Sequence, residues 1–402
     1  MLLSLALIFL IGMLLGEVFR KLKLPGLIGM LLAGFLLGPY GLNLLDPKIL
    51  SVSLELRQTA LIIILLRAGL NLDGGDLMQV GRPAVLMCFL PACFEIIGVL
   101  VLAPILLKVT LLEAAIMGTV VAAVSPAVVV PSMLKLMKKG YGTDKGVPQM
   151  IMAGASVDDV FVIVLFTAFT GLMQSGALSL KHFLLIPESI LFGLIGGLLA
   201  GLVLSRIYAG RHIAETSAVV IILSVAFLLV AVEQTVQGIG FSGLLAAMAL
   251  GATLRWRQYK LSRQLSRQLE KIWIGAQVLL FVLVGASVNI HYALNAGTAV
   301  FILIMGALLF RAVGVFVSLY KTDLNEKERL FTVFAYLPKA TVQAAIGGLP
   351  LAMGFDSGEI VLTVAVLAII FTAPLGAALI DSSYKRLLGQ GRNPDSFPPS
   401  DQ

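Results

Sequence analysis

The chain has 402 residues, 59% of them hydrophobic and only 13% charged, with a mean hydropathy of +1.00. Its charges cluster between apolar stretches of about 20 residues, the length that crosses a bilayer as a helix, which excludes a soluble globular enzyme and points to an all-α polytopic membrane protein. A net charge of +7 and a pI near 9.4 could suggest nucleic acid, but the cations gather in alternate loops, so membrane lipid is the expected partner and nucleic acid is not.

The first apolar segment, MLLSLALIFLIGMLLGEVF, lacks a basic leader and a small-residue cleavage site, so it reads as a retained helix. About thirteen candidate spans run through the chain, at approximately 2–19, 26–43, 52–70, 83–107, 113–137, 147–173, 183–206, 215–235, 237–254, 268–290, 296–320, 327–352 and 358–382. The polar tail QGRNPDSFPPSDQ is rich in turn formers and is expected to be disordered, with residues 383–402 forming a cytoplasmic tail and no soluble regulatory domain attached.

Loops after odd-numbered spans carry most of the basic residues: Arg20, Lys21 and Lys23, then Lys135, Lys138, Lys139 and Lys145, then Arg255 through Lys271. Loops after even-numbered spans carry few, such as Lys48, Lys108 and Lys181. This asymmetry places the N-terminus outside and the C-terminus in the cytoplasm of a cell (plasma or inner) membrane. The stretch RWRQYKLSRQLSRQLEK reads as a basic interfacial helix linking two spans. Cys88 and Cys93, the only cysteines, share one apolar segment and read as buried free thiols. His182, His212 and His291 all fall near predicted loops, so no histidine cluster marks a metal site or proton relay, and no cofactor is expected.

Five charges lie well inside spans: Glu95, Asp158, Asp159, Arg311 and Lys339. An unpaired charge at mid-membrane costs at least about 2.5–3.5 kcal/mol, so these should pair in a hydrated cavity. Two spans are also interrupted by proline. The fifth reads GTVVAAVSPAVVVPSML, with Pro126 at mid-span, and the twelfth reads FAYLPKATVQAAIGGLPLAM, with Pro338 at mid-span. If spans 2–6 and 9–13 are two units, the broken span is fourth in each, and Glu95 and Arg311 fall in the third of each. The units begin on opposite sides of the membrane, so they are expected to be inverted repeats, and matched broken helices in such halves point to a transporter's midplane site.

Adjacent aspartates on a helix point about 100° apart and do not face each other, which is poor geometry for a protease dyad. They suit two jobs: one carboxylate open to a cavity, the other held by a cation. Burial disfavours a carboxylate's charged form, so the open group can take either a proton or a small hard cation, and competition between the two is exchange chemistry.

The motifs AAVSPAVVVPSML, KGYGTDKGVPQMIMAGASVDDV and YLPKATVQAAIG, in this order, resemble the monovalent cation:proton antiporter superfamily, most closely the Na⁺/H⁺ antiporter branch of the NHA type. The resemblance implies a homodimer of thirteen-helix protomers with two crossed, discontinuous helices and elevator-type alternating access. It assigns residues 1–82 and 174–295 to dimerisation and linking helices, and 83–173 and 296–382 to the two halves of a core transport domain. It implies that Asp159 binds Na⁺ (or Li⁺) and H⁺ in competition, with Asp158 beside it and Ser125 able to supply an oxygen. Arg311 would pair with Glu95 or Asp158, and Lys339 would offset the partial charges of the interrupted helix ends. Many members carry Thr-Asp in the unwound fifth span, where this chain has Ser125-Pro126-Ala127. Many electrogenic members carry lysine at the position of Arg311, and arginine does not readily release a proton.

The expected function is therefore exchange of Na⁺ for H⁺ by a transporter that is not an enzyme. The alternatives are a K⁺/H⁺ exchanger of the same fold and a gated cation efflux channel. Glu95 and Arg311 could instead be a structural pair fixing helix register, in which case exchanging the two residues should preserve folding better than losing either.

Overall fold

The computed structural model describes residues 1–72, 81–175, 180–209, 214–235 and 240–390. His212 and residues 391–402 lie outside the described residues, as do the side chains of His182 and His291. Apart from one isolated bridge between Tyr141 and Gln390, the regular structure among the described residues is helical.

In chain order the helices are α1 (Leu2–Lys21), α2 (Gly26–Leu37), α3 (Pro47–Ser51), α4 (Ser53–Asn71), α5 (Arg82–Met87), α6 (Leu90–Leu107), α7 (Leu111–Ala122), α8 (Pro126–Lys138) and α9 (Val147–Ser175). They continue as α10 (Leu180–Tyr208), α11 (Glu215–Thr235), α12 (Gly243–Arg257), α13 (Tyr259–Ser287), α14 (Ile290–Ser318), α15 (Glu326–Ala335), α16 (Thr341–Ile346), α17 (Leu349–Ala352) and α18 (Gly358–Leu387). Nine helical stretches among the described residues are long and apolar enough to cross a membrane, and Gly26–Leu37 and Thr341–Ala352 are shorter apolar helices. The chain is a multi-pass membrane protein whose described residues are nearly all helical or in short connections.

Three local outcomes differ from the sequence expectation. Span 2 stops as a helix at Leu37, and its last residues form a turn in which Asn43 N donates to Gly38 O at 3.0 Å. The basic stretch is not a separate linker helix. Arg255–Arg257 end α12, and from Tyr259 on the stretch forms the first turns of α13, since no proline or glycine interrupts the chain between Tyr259 and Ile274. The tail begins later than position 383, because α18 continues to Leu387 and the buried Leu388 packs into the core.

The chain divides into two compact units. The first comprises Met1–Leu14, Met30–Gly74 and Val164–Ser287. Here α4 and α12 approach closely through small residues, as membrane helices do without a hydrophobic drive between them. A Cβ added at Gly251 would lie 2.6 Å from Leu66 O, and one at Gly69 would meet the backbone of Met248 and Ala252. Ser262 Oγ donates to Leu70 O (2.7 Å) and Ser266 Oγ to Asn71 Oδ1 (2.8 Å), which ties the start of α13 to the end of α4. The exposed Asp46 carboxylate is held below its usual range by the N-terminal ammonium, 2.7 Å away, and by the Lys48 backbone N–H.

The second unit comprises Leu15–Gly29, Gly75–Ile163 and Val288–Gln402. Helices α6 and α14 pack through Gly98, where a Cβ would lie 2.8 Å from the Phe310 ring. Helix α7 starts on a capping box, with Thr110 Oγ1 accepting from Glu113 N and the Glu113 carboxylate accepting from Thr110 N. Helix α15 starts the same way with Asn325 and Glu328, and Lys145 Nζ adds an ion pair to Glu328 at 2.9 Å. A buried cluster including Val124, Met133, Ile151, Tyr336, Ile380 and Tyr384 packs α8, α9, α15 and α18 together.

Candidate functional site

Both proline-marked spans are broken. Helix α7 ends at Ala122, Ala123 to Ser125 are extended, and Pro126 opens α8 at a position that tolerates its missing N–H. Helix α15 ends at Ala335, and α16 begins only at Thr341, leaving Pro338 in the irregular stretch between. Other prolines, Pro104, Pro131 and Pro374, lie inside continuous helices. The two breaks touch through backbone, with Ser125 N donating to Pro338 O at 2.8 Å.

A helix interrupted inside the protein leaves carbonyls and amides without intrahelical partners, and each must be satisfied locally. At the end of α7, Ala122 O accepts from Arg311 Nη1 and from Lys339 Nζ (3.3 Å). Val121 O and Ala123 O both accept from Gln343 Nε2, at 3.3 and 2.8 Å. Val124 N donates to Asp158 Oδ2 at 2.8 Å. At the second break, Tyr336 O accepts from Arg311 Nε (2.6 Å), and Lys339 N donates to Thr372 Oγ1 (2.9 Å).

The charged side chains come from four elements of the second unit. Glu95 on α6 accepts from both Arg311 Nη1 on α14 and Lys339 Nζ at the second break, each at 2.6 Å. Arg311 Nη2 also pairs with Asp158 Oδ2 on α9 at 3.1 Å, and the guanidinium lies 5.4 Å from the Tyr336 ring centroid. All four residues are buried. Arginine's planar fork suits such a hub, since it can reach several acceptors at once while remaining charged.

Asp159 stands apart from this network. Among the described residues it makes no ion pair, and its Oδ1 has no hydrogen-bond partner. Asp159 is 7% exposed where Asp158 is fully enclosed at 0%. Three carboxylates thus face two cations, an excess of one negative charge when all are ionised. Further buried oxygens lack partners: Asp158 Oδ1, Ser125 Oγ, Thr341 Oγ1 and Gln343 Oε1. Ser125 occupies the N-cap of α8 without using its hydroxyl there. Unpaired buried acceptors are costly, and oxygen donors such as Asp158 Oδ1 and Ser125 Oγ suit a hard monovalent cation better than a soft metal.

Glu95, Asp158, Arg311 and Lys339, singled out in the sequence, therefore form one network. Asp159 adjoins it in sequence, and Ser125, Pro126 and Pro338 lie at the breaks. The sequence reading missed Gln343, Thr372 and the Tyr336 carbonyl. Gln343 carried a signal, being a polar residue within YLPKATVQAAIG; Thr372 lies in an apolar helix and carried none.

A charge cluster built where two interrupted membrane helices meet is the arrangement that marks the midplane site of secondary transporters. The family model described as "Sodium/hydrogen exchanger, transmembrane" matches residues 5–380, and the chain belongs to that family. The chain is 35% identical over 381 residues to human sodium/hydrogen exchanger 9B2, covering 91% of this chain and 70% of that protein. It is 32% identical over 394 residues to human sodium/hydrogen exchanger 9B1, covering 93% of this chain and 74% of that one. Its fold resembles that of the sodium proton antiporter MjNhaP1 from Methanocaldococcus jannaschii at pH 8, with a TM-score of 0.81 at 20% identity over 96% of this chain and 98% of that one.

Proposed function

We propose that the protein exchanges Na⁺ (and Li⁺) for H⁺ across the membrane, with proton and cation competing for Asp159. The observation that carries this reading is the excess carboxylate: Arg311 and Lys339 are paired with Glu95 and Asp158, while Asp159 makes no ion pair among the described residues. One proton or one monovalent cation neutralises the cluster, and both together do not fit the charge. Each occupant therefore excludes the other, and transport of one requires release of the other. The names of the relatives, sodium/hydrogen exchangers, support the same assignment.

In this reading the second unit is the core transport domain, and the first contributes the dimerisation surface of a homodimer. The repeats are inverted, the two broken helices cross, and the core moves as an elevator between the two sides. About thirteen crossings follow from the apolar stretches, and an outside N-terminus and a cytoplasmic C-terminus from the basic loops. Asp158, with Oδ2 engaged and Oδ1 unpartnered, serves as a second ligand, and Ser125 Oγ as a neutral one. Lys339 and Arg311 offset the negative end of α7.

The test is exchange by purified protein in proteoliposomes with an imposed pH gradient. Na⁺ or Li⁺ should dissipate the gradient, and Asp159→Asn should abolish the response. Dissipation by K⁺ alone would replace the substrate while keeping the site. Conductive currents without obligatory proton coupling would mark a channel and overturn the proposal.

A further inference from the structure

Gln343 is fully buried, uncharged and outside the three ion pairs of the cluster, yet it contacts the broken helix beside the site. Its Nε2 donates to Ala123 O at 2.8 Å, while Val124 N donates to Asp158 Oδ2 at 2.8 Å. Ala123 O and Val124 N are the two ends of one planar peptide unit. That peptide is therefore gripped at its carbonyl by Gln343 and at its amide by Asp158. Planarity couples the grips, because the carbonyl cannot turn without turning the N–H by the same angle. Ala123 is extended, at φ −68° and ψ 137°, so no helical hydrogen bond fixes the plane instead.

We propose that Gln343 is a positioning residue that orients Asp158 for the transported cation through the Ala123–Val124 peptide. This rests on the reading above that Asp158 and Asp159 together hold the ion. Asp158 Oδ2 is engaged by Val124 N–H and Arg311, which leaves Oδ1 as the oxygen available to a ligand. The direction of Oδ1 is set by how Oδ2 is held. A proton needs one oxygen of Asp159 and no further ligand. A hard cation needs several oxygens at fixed spacing. Releasing the peptide therefore weakens the cation half of the exchange and spares the proton half.

The experiment compares Gln343→Leu with wild type in the full chain. Exchange is measured against Na⁺ concentration at several pH values, alongside the melting temperature without Na⁺. The expected result is a rise of about tenfold in KM for Na⁺, the upper end of the scale of one neutral hydrogen bond. The rise should be equal at every pH, with the maximal rate and the Na⁺-free melting temperature little changed. An unchanged KM, with only the maximal rate or the melting temperature reduced, would make Gln343 a structural residue and overturn the inference. Should the leucine variant not fold, Gln343→Met, unbranched and adaptable in packing, carries the same prediction. Asp159→Asn is run in parallel. If it keeps full exchange, the site reading itself fails; if it is inactive while Gln343→Leu has the wild-type KM, only this inference fails.

Discussion

Exchanging two residues in the double variant E95R/R311E separates an isolated ion pair from a shared hub. An isolated pair would survive reversal of its polarity. Arg311, however, also donates to Asp158 Oδ2 at 3.1 Å, Tyr336 O at 2.6 Å and Ala122 O. A glutamate at position 311 would face three acceptors, and an arginine at position 95 would face Lys339 Nζ, which now lies 2.6 Å from Glu95. Like charges about 4 Å apart repel by about 4 kcal/mol at an effective dielectric of about 20. Each lost hydrogen bond to a charged group removes roughly 1.5–3 kcal/mol more. Set against a typical net stability of about 5–15 kcal/mol, the double variant should melt no higher than Arg311→Met or Glu95→Gln. The assay is the melting temperature of detergent-solubilised protein, followed by loss of its monodisperse size-exclusion peak. A double variant that melts above both single variants would refute the hub and restore the isolated pair.

Removing the two aspartate charges should have opposite consequences for stability. Asp158→Asn takes one partner from a buried arginine, a loss of about 3–5 kcal/mol in comparable pairs, and should lower both melting temperature and exchange. Asp159→Asn removes the uncompensated charge and should abolish exchange without lowering the melting temperature; equal melting losses in the two variants would contradict the asymmetry. Gly251→Val should sharply reduce the yield of folded protein, because the new Cβ would lie 2.6 Å from Leu66 O, and wild-type yield would show that α4 and α12 can separate. Thr110→Ala removes the α7 cap and should cost about 0.5–2 kcal/mol, read as a lower melting temperature with unchanged KM for Na⁺. A changed KM would tie that distant cap to the site.

The parts legible in the sequence were those governed by local chemistry. Runs of apolar residues announced the helices, and Pro126 and Pro338 marked the breaks because they fall in corresponding spans of two units, beside spans that carry matched charges. Proline alone was not sufficient, since Pro104, Pro131 and Pro374 are accommodated in continuous helices. What the sequence left open was partner choice across long separations. The contact of Lys339 with Glu95 spans 244 residues and that of Gln343 with Ala123 spans 220. Helical periodicity gives a face but not its neighbour, so the sequence reading paired Arg311 with Glu95 or Asp158, where the structure has it holding both and Glu95 shared with Lys339. The irregular ends of span 2 and the extension of α18 were lost for a simpler reason: composition does not mark where an apolar helix unwinds.

The central claim is that one carboxylate, Asp159, is contested by a proton and a cation. Its most direct test adds Na⁺ to purified protein in weakly buffered detergent solution and records proton release with a pH indicator, alongside Na⁺ binding. The account predicts about one proton released per Na⁺ bound in wild type and none in Asp159→Asn, as competition for a single site requires. Na⁺ binding without proton release, or the same release from Asp159→Asn, would contradict it.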